Sequence, residues 1–210
     1  MRPDLASRLR LYLVADPDYV HGDLLSTVGH ALNGGVTAVQ LRYKHGTDRA
    51  AMELARTLRS ITVDHGALFL VNDRLDLALA SGADGIHLGV DDLPLEDARR
   101  IGGPDLIIGY SPETDEQTQD AAERGANYLG VGPIFGTATK SDAGLAIGLE
   151  TLNRRSELAG VPVVGIGGIR AQNARSVIDA GAIGVAVVSA ISMQENPKAA
   201  AVALRRALDQ

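Results

Sequence analysis

The chain has 210 residues, of which 45% are hydrophobic and 22% are charged, and its formal net charge is −6. This length suits a single domain over residues 1–210 with a sizeable core. The acidic balance and the 3% of aromatic residues argue against nucleic-acid binding, while the lack of cysteine excludes disulfides, thiolate metal sites and thiol nucleophiles.

The N-terminal segment has a charged start followed by a short apolar run, which is typical of neither a signal peptide nor a membrane anchor. No apolar stretch reaches the roughly 18 residues that a spanning helix needs. We therefore expect a soluble, cytoplasmic protein that acts without a membrane.

Short apolar runs rich in β-branched residues recur along the whole chain. Continuous rather than alternating apolarity predicts strands that are covered on both faces, as in a parallel sheet. The eight predicted strands are 11–15, 38–42, 68–72, 85–89, 106–110, 128–132, 163–167 and 184–188.

Amphipathic segments separate these runs, and several end in glycine, which favours helix termination. The predicted helical segments are 24–35, 47–66, 74–83, 114–126, 149–160, 173–182 and 197–208. Eight βα units without a linker predict an α/β fold, a (β/α)₈ TIM barrel, with an open doubly wound sheet as the alternative. Chemistry in such barrels lies at the carboxyl ends of the strands.

The second strand ends in "QLRYK", residues 40–44. Strand alternation places Gln40, Arg42 and Lys44 on one side, which predicts an amide and two cations at the barrel mouth. The alternative is a solvated strand end that leads into a surface turn.

Carboxylates follow the third and fourth strands, where Asn72-Asp73 and Asp91-Asp92 stand. Each pair has an alternative role as a helix cap. However, carboxylates on neighbouring strands near a phosphate indicate Mg²⁺, which prefers one or two carboxylates plus phosphate oxygens. Ser111, after the fifth strand, is either a site hydroxyl or a helix cap.

The last three strands end in hydroxyls and glycines rather than in carboxylates. Thr137, Thr139 and Lys140 follow the sixth strand, and "GIGGI" and "VVSAI" end the seventh and eighth. Glycine backbone N–H groups at Gly167 and Gly168, with Ser189, suit phosphate binding in this position of a barrel. The strand ends thus form two anion sites, which predicts two phosphorylated small-molecule substrates.

With these motifs, the sequence resembles the thiamine-phosphate synthase family over essentially its whole length. The family patterns stand here as "QLRYK", the Asn72-Asp73 pair, "HLGVDD", "GPIFGTATK", "IGGI" and "VSAI". The resemblance implies a Mg²⁺-dependent transferase that condenses hydroxymethylpyrimidine diphosphate with a thiazole phosphate, giving thiamine phosphate and diphosphate by dissociative displacement.

The resemblance also implies roles for individual residues. The metal ligands are Asp73 and Asp92, which hold one Mg²⁺ ion per active site. The pyrimidine diphosphate binds to Gln40, Arg42, Lys44, Asn72, Ser111 and Lys140, and of these Arg42, Lys44, Ser111 and Lys140 are expected to be catalytic. The thiazole phosphate binds to Thr137, Thr139, Gly167, Gly168, Val188 and Ser189. A homo-oligomer is possible.

Four positions depart from the family pattern. Val90 stands where the family usually has Gln, Glu113 where it often has His, Gly136 where it usually has Pro and Tyr43 where it usually has an acid. Three other functions are alternatives: a thiazole tautomerase-like homologue, another phosphate-binding barrel enzyme, and a non-catalytic ligand-binding barrel. A tautomerase has no need of the Arg-Lys-Asn-Asp-Asp-Lys set present here.

Overall fold

The computed structural model of the protein describes residues 4–136 and 144–210, and its eight strands coincide with the predicted runs to within one residue. The strands are β1 (Leu11–Ala15), β2 (Ala38–Leu41), β3 (Leu68–Asn72), β4 (Gly85–Leu88), β5 (Ile107–Tyr110), β6 (Tyr128–Val131), β7 (Val163–Ile166) and β8 (Gly184–Val187).

Helices connect the strands and surround them. They are α1 (Leu5–Arg8), α2 (Leu24–Asn33), α3 (Asp48–Asp64), α4 (Leu75–Ser81), α5 (Leu95–Gly102), α6 (Asp115–Asp120), α7 (Gly148–Leu158), α8 (Ala174–Asp179), α9 (Ser189–Ser192) and α10 (Pro197–Leu208), with a 3₁₀ turn at Pro17–Tyr19. Within the described ranges, no helix is long and apolar enough to cross a membrane.

The strands close into a parallel barrel in the order β1 to β8. Closure is completed by β8 pairing with β1, where Tyr12 lies opposite Ala186. The (β/α)₈ prediction is therefore confirmed, and the open doubly wound sheet is wrong because an open sheet leaves its first and last strands unpaired.

Strand alternation divides the core into two layers. Leu11, Leu13 and Ala15 face outward and pack in a cluster with the helices, whereas Tyr12 and Val14 face the barrel interior. A strand buried on both faces needs apolar residues at successive positions, which explains why the strand sequences read as continuous apolar runs.

Helix starts follow from local side-chain caps. The side chains of Asp23 and Thr47 accept hydrogen bonds from backbone N–H groups at the starts of α2 and α3, and Thr114 with Gln117 forms a capping box on α6. Helix α6 is shorter than the predicted segment, because its regular hydrogen bonding ends at Asp120 and turns continue to Gly125.

Candidate active site

A cavity of about 500 Å³ opens at the carboxyl ends of the strands. Most of the predicted site residues contribute to its wall: Arg42, Lys44, Asn72, Asp73, Asp92, Ser111, Gly167, Gly168, Val188 and Ser189. The predicted residues Thr137, Thr139 and Lys140 lie outside the described residues. The strand ends thus converge as the sequence predicts, although convergence alone assigns no role to any of them.

Gln40 lies deeper than predicted. It is 4% exposed and does not contribute to the cavity wall; its amide nitrogen donates to the hydroxyl of Tyr12 inside the barrel, at 2.7 Å. The pleat of β2 explains this depth, because Gln40 is still within the closed barrel whereas Arg42 is already beyond the last strand residue.

Arg42 is held by the carboxylate of Asp16, which was not among the predicted site residues. Its guanidinium lies 2.5 Å from the Asp16 carboxylate, and the side chains of Arg42 and Asp16 are only 12% and 1% exposed. The other Asp16 oxygen accepts from the backbone N–H of Asp18, which fixes the carboxylate from its opposite side. Asp16 is the first polar residue after β1, so its sequence position is equivalent to that of the polar residues at the ends of the later strands.

Lys44 and two carboxylates form a second charged cluster at the mouth. The Lys44 ammonium lies 2.5 Å from Asp73, and the Asp73 carboxylate is close enough to Asp92 to raise its pKa. Asp73 has a φ of +60°, a left-handed conformation that non-glycine residues adopt rarely and that is enriched at functional sites.

Asp92 is fixed by the backbone of its own loop. One of its oxygens accepts a 2.6 Å hydrogen bond from the Gly89 N–H. Burial and the neighbouring Asp73 carboxylate raise the pKa of Asp92, although the Gly89 N–H and Lys44 act in the opposite direction. Two adjacent carboxylates of this kind form a place where a divalent cation is favourable.

Ser111 contacts a histidine that lies in the wall of the same cavity. The Ser111 hydroxyl is 2.8 Å from His87 Nε2, and His87 Nδ1 is 2.9 Å from the Tyr128 hydroxyl. Tyr128 in turn lies 3.0 Å from the Tyr12 hydroxyl. These tyrosines could not be predicted as site residues, because the sequence of an apolar strand does not indicate the partner of a tyrosine hydroxyl.

We expect the buried Tyr12 and Tyr128 to make the folded protein less stable at alkaline pH. Burial raises the pKa of both Tyr12 and Tyr128 in the folded protein. The folded state therefore favours neutral phenols, and this contribution is fully present below the unfolded pKa of about 10 and is lost as pH rises beyond it. Urea unfolding at pH 8 and pH 10.5 should show a lower free energy of unfolding at pH 10.5, by more in the wild type than in Tyr12→Phe. Equal losses in the two proteins would contradict this origin.

The opposite wall of the cavity is made of glycine backbone. Gly167 and Gly168 have φ values of +97° and +65°, and a Cβ on Gly168 would lie 2.6 Å from the Gly136 carbonyl oxygen. The Gly168 carbonyl accepts from the Asn173 side chain at 3.1 Å, which anchors the turn. Bare backbone held in this way can approach an anion closely.

The loop after β5 is anchored from outside the cavity. The buried Arg155 of α7 donates to the carbonyl oxygens of Pro112, at 3.1 Å, and Glu113. The Glu113 side chain is exposed at the rim of the cavity, whereas Val90 is partly buried and packs against the outer core. These two departures from the family pattern therefore both border the site.

The sequence and the fold have clear relatives. A model of the family described as "Thiamine monophosphate synthase" matches residues 11–191. Thiamine-phosphate synthase of Moorella thermoacetica is 50% identical over 86% of this chain and 86% of its own length. Thiamine-phosphate synthase of Gloeobacter violaceus is 49% identical over 92% of this chain. The matched region spans only 57% of the length of that relative.

A solved structure agrees with the sequence comparisons. Thiamine phosphate pyrophosphorylase from Pyrococcus furiosus superposes with a TM-score of 0.90 at 41% sequence identity, covering 98% of each chain. The chain therefore belongs to the thiamine monophosphate synthase family.

Proposed function

We propose that this transferase joins 4-amino-2-methyl-5-hydroxymethylpyrimidine diphosphate to 4-methyl-5-(2-hydroxyethyl)thiazole phosphate, giving thiamine phosphate and diphosphate. The observation that carries the proposal is the division of one cavity into two walls of different chemistry. Arg42, Lys44 and two carboxylates form one wall, and the glycine turn at Gly167 and Gly168 forms the other. Such a cavity suits a Mg²⁺-bound diphosphate on one side and a monophosphate on the other.

The cationic wall binds the diphosphate. Arg42 presents a planar set of donors that suits phosphate oxygens, and its contact with buried Asp16 fixes it before substrate arrives. Lys44 adds a point charge, and Asn72 at the end of β3 and Ser111 after β5 add neutral polar groups to the cavity wall. These groups stabilise the negative charge that develops on diphosphate as it departs.

Asp73 and Asp92 fit the requirements of a Mg²⁺ ion. They are adjacent carboxylates with a cation already beside them, and Mg²⁺ binds through one or two carboxylates plus phosphate oxygens. Over residues 4–136 and 144–210, no group of three or more acidic or histidine side chains forms a complete metal cage, so substrate oxygens would complete the coordination. When bound, Mg²⁺ neutralises charge on the leaving diphosphate.

The glycine wall binds the thiazole phosphate. Backbone N–H groups of the 167–168 turn, which follows β7, and the Ser189 hydroxyl, which follows the neighbouring β8, line this wall of the cavity, with Val188 between β8 and α9. Predicted ligands Thr137 and Thr139 belong to the loop outside the described residues. Binding at this wall directs the thiazole ring toward the pyrimidine.

The reaction then needs positioning and charge stabilisation rather than a strong base. The bond between the pyrimidine methylene carbon and the diphosphate oxygen breaks, and its electron pair leaves with diphosphate. The resulting pyrimidinyl-methyl cation accepts the lone pair of the thiazole nitrogen, which forms the new C–N bond. Holding both reactants in one cavity supplies a large share of the rate.

Gly168→Ala tests the glycine wall. The new methyl group would sit on a positive-φ residue and collide with the Gly136 carbonyl, so the turn must shift. Strain of about 1–3 kcal/mol predicts a KM for thiazole phosphate roughly tenfold or more above wild type, with little change in the KM for the pyrimidine diphosphate. Steady-state kinetics with each substrate varied in turn measures both.

Gly66→Ala is the matched control. Gly66 has the same φ of +65°, but no atom lies within 4 Å of the position a Cβ would take, and it follows α3 far from the cavity. It should lose some stability and keep both KM values. An equal rise of both KM values in Gly168→Ala would contradict a thiazole phosphate site at this turn.

The proposed reaction is tested by incubating the protein with both substrates and Mg²⁺, and by omitting each component in turn. We expect thiamine phosphate, detected by chromatography and mass spectrometry, only in the complete mixture. Isomerisation of a thiazole substrate without coupling would instead support the tautomerase-like alternative. Ligand binding without any chemical change would support the non-catalytic alternative.

A further inference from the structure

A continuous chain of hydrogen bonds crosses the barrel interior beneath the cavity. It runs from Gln40 to Tyr12 (2.7 Å), to Tyr128 (3.0 Å), to His87 Nδ1 (2.9 Å), and from His87 Nε2 to Ser111 (2.8 Å). Gln40, Tyr12 and Tyr128 are at most 4% exposed. The chain links β2 to the end of β5, which are strands on opposite parts of the barrel.

The chemistry of its first member gives this chain a direction. The Gln40 amide nitrogen has protons and can only donate, so the Tyr12 oxygen accepts. Either hydroxyl of the Tyr12–Tyr128 pair could donate, but donation from Tyr12 to Tyr128 and from Tyr128 to His87 Nδ1 gives both phenol protons a partner within the hydrogen-bond chain. His87 accepts at Nδ1 and must donate from Nε2 to the Ser111 oxygen. Ser111 is therefore an acceptor in this chain, and its own proton is directed elsewhere.

Two glycines leave room for the rings of His87 and Tyr128 in this hydrogen-bond chain. A Cβ on Gly109 of β5 would collide with both the Tyr128 ring and His87 Nδ1, and one on Gly130 of β6 would lie 3.0 Å from His87 Cε1. The His87 and Tyr128 ring centroids lie 5.4 Å apart. Glycines on two neighbouring strands thus make space for His87 beside Ser111.

We propose that this chain is a positioning relay that holds His87 as the tautomer protonated on Nε2 and directs the Ser111 hydroxyl proton into the cavity, toward the substrate diphosphate. Tyr12, Tyr128 and His87 are then positioning residues that act through Ser111. The effect of the relay on catalysis through Ser111 rests on the proposed function, whereas the tautomer of His87 does not. When Gln40 donates, this direction gives the protons of Tyr12, Tyr128 and His87 Nε2 a partner within the relay.

The tautomer is measured by NMR of the protein labelled with ¹⁵N-histidine, with the His87 signals assigned by their loss in His87→Gln. In the wild type we expect a proton on Nε2 and none on Nδ1. In Tyr128→Phe the donor to Nδ1 is gone, and we expect the population protonated on Nδ1 to rise. A wild-type ring with a proton on Nδ1 would overturn the proposal, because the chain would then run in the opposite direction or not at all.

A kinetic cycle tests the link to Ser111. We expect Tyr128→Phe to lower kcat about tenfold, the worth of one well-directed hydrogen bond, without changing the KM for thiazole phosphate. In a Ser111→Ala background the same change should have no further effect. An equal loss in both backgrounds would mean that Tyr128 acts on structure alone, and would overturn the relay.

Tyr110→Phe is the matched control, because Tyr110 lies on β5 next to Ser111 but faces outward into the helix-packed core. It should leave both the His87 tautomer and kcat unchanged; a Tyr110→Phe effect as large as that of Tyr128→Phe would also count against the relay. If the protein forms no thiamine phosphate at all, the proposed reaction fails, while the NMR result still decides whether the relay exists.

Discussion

Replacing Arg42 with methionine is expected to lower kcat for thiamine phosphate formation on the order of 10³-fold. The substitution removes a guanidinium that faces the cavity and keeps most of the side-chain volume. The Arg42 guanidinium lies 2.5 Å from the Asp16 carboxylate, and this contact fixes the guanidinium in position before the diphosphate departs. Steady-state kinetics at saturating substrate and Mg²⁺ measures the loss.

The same substitution also affects stability, and the two effects must be separated. In Arg42→Met the buried Asp16 carboxylate loses its cationic partner. We expect this loss to lower the free energy of unfolding by about 3–5 kcal/mol. Arg42→Lys keeps a cation near Asp16 but loses the planar set of donors. It should therefore remain close to wild type in stability and still lose at least tenfold in kcat.

The control for Arg42 is an arginine on the outer face of the fold. Arg56 of α3 is exposed, and Arg56→Met changes the net charge by the same amount without altering the cavity. It should keep the wild-type kcat. Full activity in both Arg42 variants would show that this guanidinium does not stabilise the leaving group.

Replacing Asp92 with asparagine is expected to lower activity by about 10²–10³-fold and to raise the Mg²⁺ concentration that gives half-maximal rate. Asparagine retains an oxygen that can accept from the Gly89 N–H, so the loop stays in place. What is lost is one of the two negative charges next to Lys44. A titration of rate against Mg²⁺ concentration separates weaker metal binding from loss of folding.

Asp91→Asn is the matched control for this charge. Asp91 precedes Asp92 directly; its side chain is exposed and also lines the cavity, so Asp91→Asn removes the same charge from the same loop. Its Mg²⁺ titration should resemble that of the wild type. The metal assignment is wrong if Asp92→Asn and wild type require the same Mg²⁺ concentration and turn over at the same rate.

The barrel could be predicted from the sequence because its signal is repeated and local. Each strand is buried on both faces, so each appears as an apolar run, and the polar residues that follow it lie at one rim. Arg42 and Lys44 share a cavity wall because strand alternation continues beyond Leu41, the last residue of β2. The same alternation points Gln40 into the barrel, but the sequence alone does not indicate how far below the cavity its side chain lies.

The contacts between distant residues could not be predicted. The Asp16–Arg42 pair joins residues 26 apart and depends on the register between β1 and β2, whereas the Tyr12–Tyr128 contact joins residues 116 apart and depends on how the barrel closes. Gly109 is equally uninformative in the sequence, since its role is to leave room for two side chains from other strands. Helix α6 was predicted too long because its composition is helical up to Arg124, whereas its hydrogen bonding ends earlier.

The most direct test of the central claim is to measure both products in one reaction of the wild-type protein. With pyrimidine diphosphate, thiazole phosphate and Mg²⁺ present, we predict thiamine phosphate and diphosphate in equal amounts throughout the time course, because one cavity breaks the first bond and forms the second. Without Mg²⁺ we predict that neither product accumulates. Diphosphate released in excess of thiamine phosphate, or no thiamine phosphate from folded protein, would contradict a site whose two walls bind both substrates together.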